Sequence, residues 1–242
     1  MMKAIIPAAG HGTRFLPVTR AVPKEMLPIG AKPALEVIVD EAKAAGADEI
    51  VLVISPGKEL IRSYFANDPS ISFVYQTEQK GLGHAVLQAA AHVDEKDGNV
   101  LILLGDAVVL GGNASQELVA MSAANGGAGV IGFERVPREK TNRYGIAAVD
   151  SALRIVDIVE KPAPEEAPGD LAVAGRYLLP TDIFGLLATQ TPGKGGEIQL
   201  TDAIRRLLEK KPVYACAYSG KRQDIGNPDG YYAALRRYHG DC

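Results

Sequence analysis

The sequence of this 242-residue chain predicts an α/β fold, a doubly wound and mainly parallel sheet with helices on both faces. Two patterns in the first half carry this prediction. Short, continuous apolar segments such as residues 50–54 are typical of strands that are buried on both faces. Between them lie segments with apolar residues at helical spacing, for example Leu35, Ile38, Val39 and Ala42. Strands that alternate with helices in this way form parallel sheets through right-handed crossovers.

The elements of the first half follow in a regular order. We expect strands at residues 3–7, 50–54, 71–76 and 100–104, and helices at residues 33–45, 58–65 and 83–92. Gly46 is expected to end the first helix, because glycine readily adopts the left-handed conformation found after helix C-termini. Ligands of such sheets lie beyond the carboxyl ends of the strands. A binding site is therefore expected just after Pro7, Ile54, Gln76 and Leu104.

The second half is less regular and richer in strands. Its patterns predict strands at residues 129–135, 145–149, 153–159, 173–179 and 213–218, and helices at residues 181–187 and 200–208. Residues 162–169 contain three prolines and predict an exposed connector. We expect a single domain over residues 1–242, with one lobe at 1–125 and a smaller, β-containing lobe with the C-terminal segment at 126–242.

The composition excludes several classes of protein. The 47% hydrophobic and 23% charged residues lie near globular values and argue against a disordered or fibrous chain. A formal net charge of -3 provides no overall basic field, so no nucleic acid polymer is expected as a partner. Cys216 and Cys242 are too few for a disulfide framework or a zinc site, which favours the reducing cytoplasm. Because neither a signal peptide nor 18 consecutive apolar residues is found, no membrane partner is expected.

A glycine-rich segment, Ala8-Ala9-Gly10-His11-Gly12-Thr13-Arg14, follows the first predicted strand directly. Its glycines let backbone N–H groups turn inward as an anion nest, and the Arg14 guanidinium adds a planar fork for phosphate oxygens. The segment is not a P-loop, because the Gly-Lys-Ser/Thr ending is missing, and the third glycine of the dinucleotide-binding motif is missing too. A phosphate-binding loop is therefore predicted here, and a simple chain reversal is the alternative.

Farther along, Pro23-Lys24-Glu25-Met26-Leu27-Pro28 holds a lysine between two prolines. A solvated loop lysine is the ordinary alternative, but beside a phosphate loop Lys24 would provide a fixed positive charge. Together the two segments resemble the signature of the sugar-1-phosphate nucleotidylyltransferases, and among these the bacterial UTP–glucose-1-phosphate uridylyltransferases. Motifs in the family's order extend the resemblance over nearly the whole chain. The resemblance implies the Rossmann-like sheet of that family and nucleotide binding by Ala8, Ala9, Gly10, Gly12 and Thr13.

The resemblance also implies a base-recognition loop at residues 79–86. Glycines such as Gly81 let backbone N–H and C=O groups approach the flat edge of a pyrimidine. Gln76, at the end of a predicted strand, is expected to bond a carbonyl or the imide of the base. His84 is expected to pack at the start of a helix rather than to act as a base.

Asp106 ends an apolar predicted strand, at the sheet edge where this fold class binds ligands. A carboxylate there is a candidate Mg²⁺ ligand, and the alternative from the residues alone is an aspartate that caps a turn. The resemblance implies the metal role. It places the second ligand at Asp224, within Arg222-Gln223-Asp224-Ile225-Gly226, so we expect Mg²⁺ as the cofactor.

Three later segments, residues 144–145, 159–162 and 172–177, resemble the family's sugar-phosphate pocket. On this resemblance Gly145 and Gly175 leave room for a hexose ring, Glu160 accepts hydrogen bonds from sugar hydroxyls, and Lys161 meets the sugar's phosphate. Residues 196–202 match a further family segment, with Glu197 as its candidate. The alternative there is that Thr201 or Asp202 simply caps the helix at 200–208.

The resemblance implies a Mg²⁺-dependent enzyme that converts UTP and glucose 1-phosphate into UDP-glucose and pyrophosphate, as a cytoplasmic dimer or tetramer. In this reading Arg14 holds the triphosphate, Lys24 offsets charge near the α-phosphate, and Lys161 aligns the attacking phosphate. A general base is unnecessary, because a phosphate monoester with a second pKa of about 6 is mostly a dianion at pH 7.

Two departures from the family pattern keep alternatives open. Only residues 67–70 separate the second predicted helix from the strand at 71–76, where bacterial members have a longer excursion, and this bears on the oligomer. Gly105 precedes Asp106 where they have proline, a feature closer to thymidylyltransferases. One alternative is therefore the same reaction with dTTP or another hexose 1-phosphate. The other is a catalytically silent, nucleotide-sugar-binding regulatory protein, although both predicted carboxylates and both lysines are present.

Overall fold

The computed structural model describes residues 1–240. Of the two cysteines, Cys216 is a buried free thiol, and Cys242 lies outside the described residues. Within them the strands are β1 (Met2–Pro7), β2 (Pro28–Ile29), β3 (Lys32–Pro33), β4 (Ala47–Ile54), β5 (Ile71–Tyr75), β6 (Asn99–Leu103), β7 (Ala107–Leu110), β8 (Gly129–Arg135), β9 (Gly145–Val149), β10 (Ile155–Glu160), β11 (Leu171–Pro180), β12 (Val213–Ala217) and β13 (Lys221–Asp224). The helices are α1 (Ala34–Ala44), α2 (Glu59–Tyr64), α3 (Leu82–Gln88), α4 (Ala114–Ala124), α5 (Ile183–Ala188), α6 (Leu200–Leu208) and α7 (Pro228–His239).

One nine-stranded sheet forms the centre of the molecule. Its order is β10-β9-β11-β6-β1-β4-β5, and β8 and β12 extend from β11. The strands β6, β1, β4 and β5 are parallel neighbours, as is the β8–β12 pair. In contrast, β11 runs antiparallel to β6, β8 and β9. The α/β prediction, with its mainly parallel sheet, is confirmed.

The helices cover both faces of this sheet. Successive side chains of a strand point to opposite faces, and in β1 Ala4 and Ile6 join one core while Ile5 joins the other. Residues of α1, α2, α4 and α7 pack into the first core. Residues of α3, α5 and α6 pack into the second. Strands buried on both sides explain why β4 and β6 are continuous apolar segments in the sequence.

Local signals in the sequence set the limits of α1. Pro33 occupies its N-cap, and Gly46 lies just beyond its end with φ of 95°, as predicted from the sequence. The helix buries Leu35, Ile38 and Val39 against the sheet. None of the helices within residues 1–240 combines the length and the apolar character needed to cross a bilayer.

Several elements have no counterpart in the sequence predictions. These are the short hairpin β2–β3, the two-stranded sheet of β7 and β13, and the helices α4 and α7. Pairing of β11 with β6 carries the central sheet from the first half of the chain into the second. The division into lobes at 1–125 and 126–242 stays a prediction.

Candidate active site

A cavity of about 300 Å³ lies beyond the carboxyl ends of β1, β5 and β6, where the sequence predicts a site. Among the predicted site residues, it brings together Ala8, Ala9, Gly10, Lys24, Gln76, Gly81, Asp106 and Glu197. Its other lining residues are Pro7, Glu25, Gln79, Leu82, Ala85 and Leu104. Glycine backbone, an amide side chain and charged groups of both signs therefore meet in one cavity.

A close ion pair lies at the charged side of this cavity. Lys24 Nζ donates a hydrogen bond of 2.6 Å to Asp106 Oδ2, and only 11% of the Lys24 side chain is exposed. A Cβ at Gly10 would lie 3.9 Å from Nζ, so the glycine loop runs close to the ammonium. Burial opposes the charge of Lys24, but the Asp106 and Glu25 carboxylates outweigh it and raise its pKa. Burial likewise opposes ionisation of Asp106, and the Lys24 ammonium outweighs it and lowers the Asp106 pKa.

The second predicted carboxylate comes to the same place through β13. This strand pairs with β7 and sets Asp224 opposite Ala107, the residue after Asp106. A Cβ at Gly226 would lie 2.9 Å from Asp224 Oδ1 and 3.1 Å from Asp106 Oδ2, so both carboxylates flank this glycine. Mg²⁺ commonly takes one or two protein carboxylates and completes its shell with water and substrate phosphate. The pair therefore fits Mg²⁺, although no group of three or more His, Cys, Asp or Glu within residues 1–240 has the arrangement of a metal site.

The amide of Gln76 has a defined orientation at the end of β5. Its Nε2 donates to the Gly81 carbonyl oxygen at 3.2 Å and lies 3.0 Å from Nδ1 of His84. Because a carbonyl oxygen only accepts, Nε2 must face Gly81, and Oε1 is the acceptor that Gln76 can offer to a ligand. Gly81 has φ of 96°, and a Cβ there would lie 2.7 Å from Cβ of Glu197. His84 lies in the first turn of α3 and also contacts Gln88.

The predicted sugar-phosphate residues form a second cluster. Glu160 at the end of β10 pairs in register with Gly145 at the start of β9. Glu160 Oε1 lies 3.2 Å from the Lys161 ammonium, and its Oε2 accepts a 2.6 Å hydrogen bond from the Thr201 hydroxyl. Thr201 therefore does not cap α6, whose N-cap residue is Gln199, and the capping alternative is wrong for this residue. Lys161 has φ of 44°, a conformation that non-glycine residues rarely adopt.

Asp224 and the sugar-phosphate cluster of Gly145, Glu160 and Lys161 are not part of the cavity lining, and four further predicted residues also lie outside it. Thr13 and Arg14 are exposed in a short 3-10 turn, Thr13–Phe15. Gly12 precedes this turn with φ of 65°, and its carbonyl accepts a hydrogen bond from Thr19. Gly175 has φ of 76° at an irregularity in β11 and packs against Leu104, which lines the cavity. The ligand roles of these residues stay predictions.

Comparison with known proteins identifies the family. The family model for nucleotidyl transferases matches residues 3–240. The chain belongs to the nucleotidyl transferase family. A UTP–glucose-1-phosphate uridylyltransferase 2 of Staphylococcus saprophyticus is 40% identical, with 98% of this chain and 91% of that protein covered. A UTP–glucose-1-phosphate uridylyltransferase of Pseudomonas aeruginosa is 36% identical, with 96% and 94% covered.

Solved structures agree with this membership. A crystal structure of UDP-glucose pyrophosphorylase complexed with UDP-glucose matches this nucleotidyl transferase with a TM-score of 0.92 and 34% identity, and 100% of each chain is covered. The structure of a UTP-bound UGPase from Acinetobacter baumannii matches with a TM-score of 0.85 and 33% identity, covering 100% of this chain and 94% of that one. The predicted family resemblance is confirmed.

Two buried ion pairs of this nucleotidyl transferase have no counterpart in the sequence predictions. Lys58 bonds Glu25, which lines the cavity, and Arg176 bonds Glu41 in the core. Arg176 is fully buried and donates to both carboxylate oxygens, at 2.8 and 2.7 Å, and to the Ala107 carbonyl at 2.7 Å. The partners are 33 and 135 residues apart, so a lysine or arginine with ordinary neighbours was the only signal that the sequence offered.

Proposed function

We infer that this chain is an enzyme that converts UTP and glucose 1-phosphate into UDP-glucose and pyrophosphate. The observation that carries the inference is the cavity in which glycine backbone, the Gln76 amide and the Lys24–Asp106 pair converge. The names of the relatives support the choice of substrates, because two of them are UTP–glucose-1-phosphate uridylyltransferases that match nearly the whole chain.

The reaction is a displacement at phosphorus. An oxygen of glucose 1-phosphate forms a bond to the α-phosphorus of UTP. The bond from this phosphorus to the oxygen that bridges to the β-phosphate breaks, and pyrophosphate leaves with the electron pair. No proton needs to be removed from the nucleophile, because the phosphate monoester is mostly a dianion at pH 7. The enzyme's task is to bring two polyanions together and hold them in line.

The chain's own cations suit that task. Lys24 lies between the glycine loop and Asp106, where its charge would offset that of the α-phosphate. Arg14 is exposed just after the glycine loop, and we propose that it binds the phosphates that leave and that Lys161 holds the phosphate that attacks. Like unit charges about 4 Å apart repel by about 1 kcal/mol in water and several times more near a protein surface. Fixed cations at these three places would lower that repulsion as the phosphates approach.

The orientation of Gln76 supports a uracil base. Uracil has an N3–H donor between two carbonyl acceptors, whereas N3 of cytosine is an acceptor. With Nε2 directed to Gly81, Gln76 offers Oε1 to the cavity's ligand and so matches the imide N3–H. Thymine carries the same imide, so UTP and dTTP are distinguished by direct assay of each nucleoside triphosphate.

We propose that Asp106 and Asp224 hold Mg²⁺, the cofactor that hard carboxylate oxygens and phosphates favour. When bound, the ion would neutralise phosphate charge and help to orient the triphosphate. On the sugar side, we propose that Glu160 and Thr201 bond hexose hydroxyls next to Lys161, a role supported by the contact of Glu160 with both residues. Gly145 lies against both, since a Cβ there would be 3.0 Å from the Thr201 hydroxyl oxygen.

We also propose a cytoplasmic homo-oligomer, a dimer or a tetramer. The buried free thiol of Cys216 suits a reducing compartment. Leu16 and Tyr232 are 54% and 56% exposed, and they flank the packed rings of Phe15 and Tyr231, so apolar surface is available there for a second copy. Sedimentation of the purified protein measures the oligomeric state, and cell fractionation measures the location.

A matrix of substrates tests the proposed function. Pyrophosphate release is measured for five nucleoside triphosphates against several hexose 1-phosphates, with and without Mg²⁺. We expect the highest kcat/KM for UTP with glucose 1-phosphate and no turnover after chelation. A preference for dTTP or another sugar would change the substrate assignment. UDP-glucose binding without turnover would instead support a regulatory protein.

A further inference from the structure

Lys58 forms a buried ion pair next to the cavity but does not line it. Its ammonium donates to both carboxylate oxygens of Glu25, each at 2.9 Å, and to the Ala8 carbonyl oxygen at 2.6 Å. The side chains of Lys58 and Glu25 are only 9% and 1% exposed. Three acceptors match the three hydrogens of the ammonium, so Lys58 has no donor left for a substrate.

The three bonds join three separate segments. Ala8 begins the glycine loop after β1, Glu25 belongs to the short 3-10 turn Lys24–Met26, and Lys58 immediately precedes α2. All three segments follow or neighbour the carboxyl edge of the parallel strands. One ammonium thus fixes the start of the phosphate loop relative to the turn that carries Lys24.

Stability alone does not account for such a pair. Taking two charges out of water costs several kcal/mol per ion, and a well-packed apolar pair of similar size is often as stable or more stable. Burial lowers the pKa of Lys58 and raises that of Glu25, which is the direction expected when desolvation exceeds the attraction of the partner. A charged pair at this place is more readily explained by its effect on orientation, because it fixes the phosphate loop relative to the turn that carries Lys24.

Glu25 is also the chain neighbour of Lys24, so the pair acts directly on the predicted catalytic lysine. Along this edge the charges alternate in sign, from Lys58 to Glu25 to Lys24 to Asp106. We propose that Lys58 is a positioning residue for the reaction. Through Glu25 it holds the Lys24 ammonium in line with the α-phosphate, and through Ala8 it holds the first carbonyl of the phosphate loop. The inference rests on the proposed function, in which Lys24 acts on UTP.

Kinetics of paired variants test this role. Lys58→Met removes the buried cation. The double variant Lys58→Met/Glu25→Gln removes both charges, so it leaves no unpaired buried carboxylate and is expected to fold even if the single variant does not. We expect each to lower kcat for UTP and glucose 1-phosphate by roughly 10- to 100-fold, as a displacement of about 1 Å can do. The KM for glucose 1-phosphate should stay within about twofold, because the Lys161 cluster is not touched. The kcat is normalised to the folded fraction measured by circular dichroism.

The decisive comparison is made in a Lys24→Met background. If Lys58 acts only by positioning Lys24, then Lys58→Met should change kcat less than about twofold in the Lys24→Met background, because no ammonium remains at residue 24 to be positioned. A purely structural role would lower kcat by the same factor in both backgrounds and would overturn the inference. Wild-type kcat in the folded double variant would overturn it as well.

Lys3→Met is the matched control. Lys3 is also a mostly buried lysine of the sheet, with 16% exposure, a 2.6 Å bond to the His92 carbonyl and two carboxylates within 3.5 Å. It lies at the amino end of β1, away from the cavity, so its loss should lower the thermal midpoint and leave kcat unchanged. Failure of the proposed function would appear differently, as no pyrophosphate release by the wild-type enzyme.

Discussion

Single residues at the carboxyl edge of the sheet carry most of the proposed chemistry, and Asp106 has two tasks there. It accepts a hydrogen bond from Lys24 and faces the same point as Asp224. Its pKa is lowered, with burial opposing ionisation and the Lys24 charge outweighing it. The carboxylate is therefore charged at neutral pH and available to a cation.

Asp106→Asn is expected to remove most Mg²⁺-dependent turnover, because an amide oxygen is a weaker ligand for a hard cation and leaves Lys24 without its anionic partner. We expect a loss of kcat on the order of 10²- to 10³-fold, comparable to the removal of one preorganised electrostatic contact. Pyrophosphate release over a Mg²⁺ titration measures the effect. Wild-type activity of this variant would exclude Asp106 from the proposed metal site. The control is Asp157→Asn, because Asp157 is remote in sequence and forms an exposed ion pair with Arg205.

Lys161→Ala is expected to raise the KM for glucose 1-phosphate and to lower turnover, because the attacking phosphate loses its fixed cation. The KM for UTP should change little. Steady-state kinetics with each substrate varied in turn separate the two effects. Lys140→Ala, at an exposed lysine of the 3-10 segment Arg138–Arg143, is the control. Unchanged kinetics of Lys161→Ala would exclude this lysine from the sugar-phosphate site.

The individual site residues differ in how far the sequence could reveal them. Gln76 and Asp106 lie at or just beyond the end of a predicted strand, so the rule that ligands bind beyond strand carboxyl ends pointed to them. Gly81 was predicted from the family resemblance. Thr201 was predicted only as a possible helix cap, because its partner Glu160 lies 41 residues away in sequence. Lys58 gave no signal, since nothing in its neighbours distinguishes a buried lysine from a solvated one.

Strands and helices also differ in how far the sequence predicts them. Strands such as β4 and β6 are buried on both faces, so their residues are continuously apolar and the sequence predicts these strands. In contrast, β13 reads Lys-Arg-Gln-Asp and forms a strand only because β7 pairs with it. The helix α4 buries two serines, Ser115 and Ser122, so its buried face is not the apolar stripe that predicts a helix. The helix α7 does have apolar and aromatic residues at helical spacing, Tyr231, Ala234, Leu235 and Tyr238, so there the prediction missed a signal that the sequence contains.

The strand β11 and helix α1 are joined by the buried pair of Arg176 and Glu41. Arg176→Met is expected to destabilise the protein by about 3–5 kcal/mol, because the Glu41 carboxylate would remain buried without its partner. Urea unfolding measures the change. Arg135→Met removes the exposed Arg135–Asp170 pair and should change stability by about 1 kcal/mol or less. Equal effects of the two substitutions would contradict this account.

The same pair predicts a loss of stability in acid. Burial opposes ionisation of Glu41, but Arg176 and Ser115 outweigh it, so the Glu41 pKa is lower in the folded protein than its usual value of about 4.3. Stability from this carboxylate is therefore complete above the unfolded-state pKa and is lost as pH falls through the folded-state pKa. Unfolding midpoints measured from pH 6 to pH 3 should fall less steeply in Glu41→Gln than in wild type. Identical slopes would exclude Glu41 as a contributor.

At the scale of the whole molecule, the central sheet joins the two halves of the chain. Because β11 lies between β6 on one side and β8 and β9 on the other, neither half of the chain can complete its hydrogen bonding alone. The net charge of -3 also conceals a local arrangement, in which lysines and carboxylates alternate at one edge.

Unfolding is therefore expected to be one cooperative transition for both halves. Far-ultraviolet circular dichroism and tyrosine fluorescence should give the same urea midpoint, since the chain has no tryptophan and its nine tyrosines report from both halves. Two separated transitions would show that parts of the chain unfold independently and would contradict this expectation.

The pairing of β13 with β7 has a consequence for synthesis of the protein. It brings Asp224, in the last tenth of the chain, beside a carboxylate that the ribosome adds 118 residues earlier. A chain that ends prematurely before β13 would carry the glycine loop, Gln76 and Lys161, but only one of the two carboxylates proposed to hold the metal. Such a translation product would lack half of the proposed metal site, so we expect it to release no pyrophosphate from UTP.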